Sequence, residues 1–137
     1  MHIENKNFDS WNVKKKKLNN TKRQVYFKER QIWWCSIGLN VGFEQDGKND
    51  NFERPVIVLK KFSNDLLWIL PLTSQRKQGK YYYQMRYDSK MYVVILSQIR
   101  AISSKRLLRK MIRVSSQDFS KIRLLAANFL KNKTNPR

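Results

Sequence analysis

RPVIVLKKFSNDLLWILPLTS, residues 54–74, holds two apolar runs of strand length around a short polar turn. Pro55–Phe62 and Leu66–Ser74 are rich in β-branched and bulky residues, which suit a pleated, half-buried surface. Ser63-Asn64-Asp65 carries turn chemistry, so the stretch reads as a β-hairpin. A turn centred between Ser63 and Asn64 sets Arg54 opposite Thr73, and moving the centre by one residue shifts the partner by only two. Arg54 precedes a proline and is therefore extended at the mouth of its strand. Pro71 is expected to add a bulge that blurs the register without separating the two ends.

Working outward, the same period continues on both sides. Gln31–Ile37 reads as a strand with tandem Trp33-Trp34. Tyr81–Tyr87 and Met91–Leu96, joined by Asp88-Ser89-Lys90, read as a second hairpin. Ile99–Ile102 and Met111–Val114 are shorter strands, separated by a helical turn at Ser104–Leu107. The period then changes: Phe119, Ile122, Ala126 and Phe129 mark one face of a helix capped by Ser115 or Ser116. Short strands closed by one amphipathic helix predict a mainly β chain with a C-terminal α-helix, folded as a small, partly open barrel.

The 137 residues divide into a basic appendage (1–23), one domain (24–130) and a frayed basic tail (131–137). In the appendage, Phe8, Trp11 and Leu18 fall near helical spacing, with Asp9 or Ser10 as the opening residue. Between Gly38 and Glu53 runs a loop of sixteen residues, long enough in a compact domain to imply a function.

Charge narrows the partners. The formal charge is +19, and residues 24–130 alone keep +11, so the surplus is not confined to the ends. Nucleic acid, an acidic protein or an anionic surface would each be attracted. A single histidine, His2, and a single cysteine, Cys35, exclude a His-based triad, a Cys/His zinc site and any disulfide within one chain. No metal site and no cofactor are implied. The start of the chain lacks an apolar signal core and no run approaches a membrane span, so a cytoplasmic, non-membrane protein is expected.

A guanidinium beside a hydroxyl suits phosphodiester chemistry. Cleaving RNA by its own 2′-hydroxyl needs a proton acceptor for that group, a cation for the phosphorane oxygens and help for the departing 5′-oxygen. Arg54 would stabilise charge first and donate a proton second. Thr73 would donate a hydrogen bond to a phosphate oxygen, and Glu44 in the long loop would accept the 2′-hydroxyl proton. Tyr81-Tyr82-Tyr83, flanked by Arg76, Lys77, Lys80 and Arg86, are placed to stack bases beside a basic groove, with strand alternation burying either Tyr82 or its two neighbours. Cys35, alternating within an apolar strand, reads as an inert core residue.

Residues 27–130 resemble the MazF/PemK family of type II toxin–antitoxin endoribonucleases. The resemblance is carried by I-W-W at 32–34, the loop G-x-E-Q at 42–45, R-P-V-x-V-L at 54–59, P-L-T-S at 71–74 and Leu96-Ser97-Gln98-Ile99-Arg100-Ala101-Ile102. It implies an SH3-like barrel of the MazF/PemK/CcdB type, working as a homodimer. It also implies metal-independent cleavage of single-stranded RNA at short sequences, leaving a 2′,3′-cyclic phosphate or 3′-phosphate and a 5′-hydroxyl. The family's catalytic arginine, threonine and loop glutamate fall on Arg54, Thr73 and Glu44. Gln45, Ser74, Arg76, Lys77, Tyr81 and Gln98 are then the expected RNA contacts, and an acidic antitoxin the expected inhibitor. Two other readings keep the barrel: a nucleic-acid-binding module without catalysis, and a gyrase-directed toxin like CcdB. The chain departs from the family pattern in its longer Asp46–Glu53 stretch, in Ser97 where many members carry Asp, and in the added segment 1–23.

Overall fold

A computed structural model describes residues 5–131, so His2 and all of the 131–137 tail except Lys131 lie outside the described residues. Helix α1 (Phe8–Asn20) comes first, then strands β1 (Gln31–Ser36), β2 (Glu53–Lys61), β3 (Leu66–Thr73), β4 (Tyr82–Tyr87), β5 (Lys90–Ile95), β6 (Arg100–Ser103) and β7 (Leu107–Arg113). A single 3-10 turn, Ser104–Arg106, links β6 to β7, and helix α2 (Ser116–Asn128) closes the order.

The strands are antiparallel, with β4, β5, β3, β2, β1 and β7 side by side. Strand β3 organises this sheet because one of its edges serves two partners. Leu66–Ile69 pair with β6, whereas Leu72 and Thr73 pair with β5. Pro71, which has no N–H to give a ladder, lies where one partner hands over to the other. The β2/β3 hairpin keeps the expected register at its open end, with Val56 opposite Pro71 and Ile57 opposite Leu70. Its bulge falls between Val58 and Lys60, near the turn, and not at Pro71.

Both faces of the central strands are buried, which explains why their sequences read as almost unbroken apolar runs. One core takes Ile32, Ile57, Leu70, Leu72 and Val94 and is covered by Phe119 and Ile122 of α2. The other takes Trp33, Cys35, Val56, Val58, Ile69 and Leu107, with Val25 and Phe27 of the segment before β1. Ser115 caps α2, its hydroxyl accepting from the Asp118 amide at 3.1 Å. Tyr83 and Tyr87 donate their hydroxyls to the Asp118 carboxylate at 2.5 Å each and so tie α2 to β4. Burial alone would raise the Asp118 carboxyl, but the bonds from Tyr83, Tyr87 and Ser115 take it below its ordinary value.

Three elements differ from the sequence expectation. Helix α1 opens at Phe8 with Asn7 as its cap, not at Asp9 or Ser10, and Asp9 lies in the first turn where the helix dipole favours it. Strand β7 begins at Leu107, four residues before Met111. Its Arg109 and Lys110 mask the pattern, yet Arg109 lays its guanidinium over the Trp34 ring, so a charged residue still covers apolar surface. Tyr81 and Tyr83 do not share one environment: β4 starts only at Tyr82, so Tyr81 is exposed while both Tyr82 and Tyr83 are half-buried.

Candidate functional site

The loop from Gly38 to Phe52 delivers the chain to β2, and its last turn is pinned by a two-residue bridge. Lys48 and Glu53 exchange both main-chain hydrogen bonds at 2.8 Å. Arg54 follows at once, paired with Cys35 on β1. Carrying the Val56–Pro71 register two residues further sets Arg54 opposite Thr73, on the same face of the sheet. Arg54 is half-buried. Its Nε donates to the Asp46 carbonyl at 2.6 Å and its Nη1 to the Leu72 carbonyl at 3.1 Å. Two of five N–H donors are thus engaged among the described residues, and the planar fork is fixed in direction. Burial lowers the affinity of this guanidinium for its proton, and Asp46 nearby partly restores it. Thr73 ends β3; its Oγ1 accepts from the Gln75 amide at 3.2 Å, so its own O–H remains available to donate. Arg54, Thr73 and Ser74 line one cavity of about 290 Å³ with Trp34, Glu53 and Tyr92.

That hairpin mouth belongs to a chain whose residues 28–130 match the family described as PemK-like, MazF-like toxin of type II toxin-antitoxin system. The chain belongs to this MazF/PemK family. No curated protein matches the sequence. Among solved structures, MazF from Deinococcus radiodurans superposes with a TM-score of 0.63 at 17% identity, covering 77% of this chain and 98% of the other. An endoribonuclease in complex with its cognate antitoxin, from a mycobacterial species, gives 0.59 at 15% identity, covering 77% and 95%. MazE–MazF from Deinococcus radiodurans gives 0.59 at 16%, covering 77% and 97%. At these identities the likeness establishes the fold. Helix α1 lies before the part of the chain that the MazF/PemK match covers.

The remaining residues singled out from the sequence divide around this mouth. Glu44 does not line the Arg54/Thr73 cavity. It is exposed, its Oε1 accepts from the Val41 amide at 3.1 Å, and it lines a separate depression with Gln45, Pro71 and Gln98. The two hollows are neighbours: Pro71 shares a face of β3 with Thr73, and Asp46, next to Gln45, gives its carbonyl to Arg54. Gln98 braces the loop with its whole side-chain amide. Its Oε1 accepts from Gln45 N at 2.7 Å and its Nε2 donates to Phe43 O at 3.1 Å. Arg76 and Lys77 are exposed on the segment leaving β3. One face of the Tyr81 ring already stacks on Phe129 of the α2 terminus, at 5.6 Å, and Lys80 lies over the ring at 5.0 Å from its centre.

Two groups at the mouth escaped the sequence reading. Glu53 is a buried carboxylate in the cavity, held by Arg109 at 2.8 Å. Its place beside Arg54 was the only available signal. Asp46 matters through its main-chain carbonyl, which no residue pattern reveals. Cys35 is fully buried, and burial pushes its thiol up to about 12, which disfavours the thiolate. Among the described residues, no three His, Cys, Asp or Glu side chains cluster as a metal site, and no helix is long and apolar enough to cross a membrane.

Proposed function

We propose that this toxin is a ribosome-independent, metal-independent endoribonuclease that cuts single-stranded RNA at short sequences. The register that puts Arg54 opposite Thr73 carries the reading. The RNA 2′-oxygen attacks the adjacent phosphorus, the bond to the 5′-oxygen breaks, that oxygen takes a proton donated by Arg54, and a 2′,3′-cyclic phosphate and a 5′-hydroxyl result. Arg54 meets the phosphorane oxygens with a fixed fork, and Thr73 adds a second preorganised donor. Of the three carboxylates nearby, Glu53 is buried against Arg109 and Asp46 is paired with Lys6, whereas Glu44 is exposed; Glu44 is therefore the acceptor for the 2′-hydroxyl proton. Gln45, Ser74, Arg76, Lys77 and Tyr81 follow the strand on either side, with Gln98 acting through the loop it braces. Incubating the protein with labelled RNA in the presence of a chelator tests this: cuts at a fixed sequence are expected, and RNA bound but left intact would overturn it.

An acidic antitoxin segment is the proposed inhibitor, in keeping with the charge of +19 and with the antitoxin complexes formed by the similar structures. The working form is proposed to be a homodimer. Phe43, Trp68 and Ile99 are exposed apolar groups, and β6 offers a free edge beside Ile99. A second copy of the chain would cover both, as the apolar content beyond what a barrel of ~105 residues buries alone also suggests. Light scattering is expected to show twice the 16.6 kDa chain mass at micromolar concentration, and a monomer would contradict it.

A further inference from the structure

The two main departures from the MazF/PemK pattern, the added helix and the lengthened loop, meet each other in space. Trp11 is 6% exposed although α1 is otherwise solvated and basic. Its ring packs edge-on against Phe52, with centroids 5.4 Å apart. It lies so close to Gly38, at φ +88°, that a Cβ on that residue would overlap the ring. Lys6, just before the helix, sends a side chain that is 9% exposed into the same loop. It pairs with the Asp46 carboxylate at 2.9 Å and donates to the carbonyls of Asn40 at 2.5 Å and Gly42 at 3.2 Å. Lys14 adds a bond to the Asn51 side chain at 3.1 Å.

These contacts converge on one residue. The Asp46 carboxylate takes Lys6 and the Asn40 amide, the latter at 2.6 Å, while the Asp46 carbonyl takes Arg54 Nε. A loop of this length gains order only from what it touches. Here its first and last residues are held from α1, and its tip from Lys6 just before the helix. The structure assigns to α1 the role of a strap that holds loop 38–53, with Trp11 and Lys6 as positioning residues for Arg54. Both act on the reaction through the Asp46 carbonyl, and this part of the inference rests on the catalytic reading of Arg54. The basic lysines on the outer face of α1 take no part in it, so the appropriate variants are single substitutions, not removal of the helix.

Full-length Trp11→Ala and Lys6→Ala are expected to lower kcat on RNA about tenfold while KM stays within about twofold, because phosphate contacts elsewhere supply most of the binding. Trp11→Phe should restore most of the rate. Hydrogen exchange of the loop amides, including Gly38 (bonded to Phe52 O) and Gly47 (bonded to Gly38 O), is expected to speed up in Trp11→Ala and Lys6→Ala and not in Trp11→Phe. Loop protection and kcat both at the wild-type level in Trp11→Ala and Lys6→Ala would overturn the strap. Faster exchange with an unchanged kcat would overturn the positioning role. A wild type that leaves RNA uncut would sink the catalytic reading instead, and loop exchange alone would then decide the strap: faster exchange in the variants supports it, unchanged exchange overturns it. Lys6→Ala removes no apolar core atoms and serves as the deciding variant should Trp11→Ala fail to fold.

Discussion

Arg54→Ala and Thr73→Ala are each expected to lower RNA cleavage by about 10²–10³-fold while the barrel stays folded, because each removes one preorganised donor from the scissile phosphate. The fold should survive because neither side chain belongs to the two apolar cores. In Arg54→Ala the Asp46 and Leu72 carbonyls lose a donor, at a cost of about 1–3 kcal/mol in stability. Arg54→Lys should fail almost as badly, since an ammonium cannot span both carbonyls and still present a planar fork to phosphate. Because both groups act on one phosphate, the double variant should lose far less than the product of the two single penalties. RNA affinity should change only modestly in Thr73→Ala, where the basic surroundings remain. Single-turnover rates and filter binding on the same samples separate these effects. Near-wild-type rates in both alanine variants would move the active site elsewhere.

Gly47→Ala is the second change with a large expected effect, although Gly47 touches no substrate. A Cβ there would coincide with the Phe52 carbonyl and crowd the Glu53 amide, both main-chain groups that no rotamer change can clear. The Lys48–Glu53 bridge must then open, and it is this bridge that fixes where β2 begins. Arg54 would shift with it. A displacement on the order of 1 Å of a positioned group costs about 10²-fold in rate. The core strands pair independently of residue 47, so far-UV circular dichroism should match the wild type while cleavage falls by about that factor. A Gly47→Ala protein that cuts RNA normally would show that Arg54 does not depend on the loop for its placement.

How much of this was legible in the sequence depends on the range of the interaction. The β2/β3 register was readable because two apolar runs flank a short turn, and the pairing of neighbouring strands follows from their spacing. Even so, the bulge was misplaced: Pro71 was absorbed by a change of partner along the β3 edge, and the slip occurred at Leu59 instead. Strand β7 was read too short because Arg109 and Lys110 use their stems and charge at a sheet edge, which composition scores as polar. Glu44 was grouped with Arg54 by its place in the long loop and by the family pattern, and it lines a depression beside the Arg54/Thr73 cavity instead of the cavity itself. The acceptors that aim Arg54 are main-chain carbonyls, and Lys6, which steadies their loop, lies 34 residues from Asn40 in the chain. No local periodicity encodes such contacts.

The central claim is that the hairpin mouth promotes attack by the RNA 2′-hydroxyl without a metal, and the ends of the product test it most directly. Single-stranded RNA cut by the wild-type protein in excess chelator is expected to carry a 2′,3′-cyclic phosphate, or the 3′-phosphate derived from it, and a 5′-hydroxyl, with no cuts from Arg54→Ala under the same conditions. A 3′-hydroxyl and a 5′-phosphate, or cleavage that the chelator abolishes, would contradict the account.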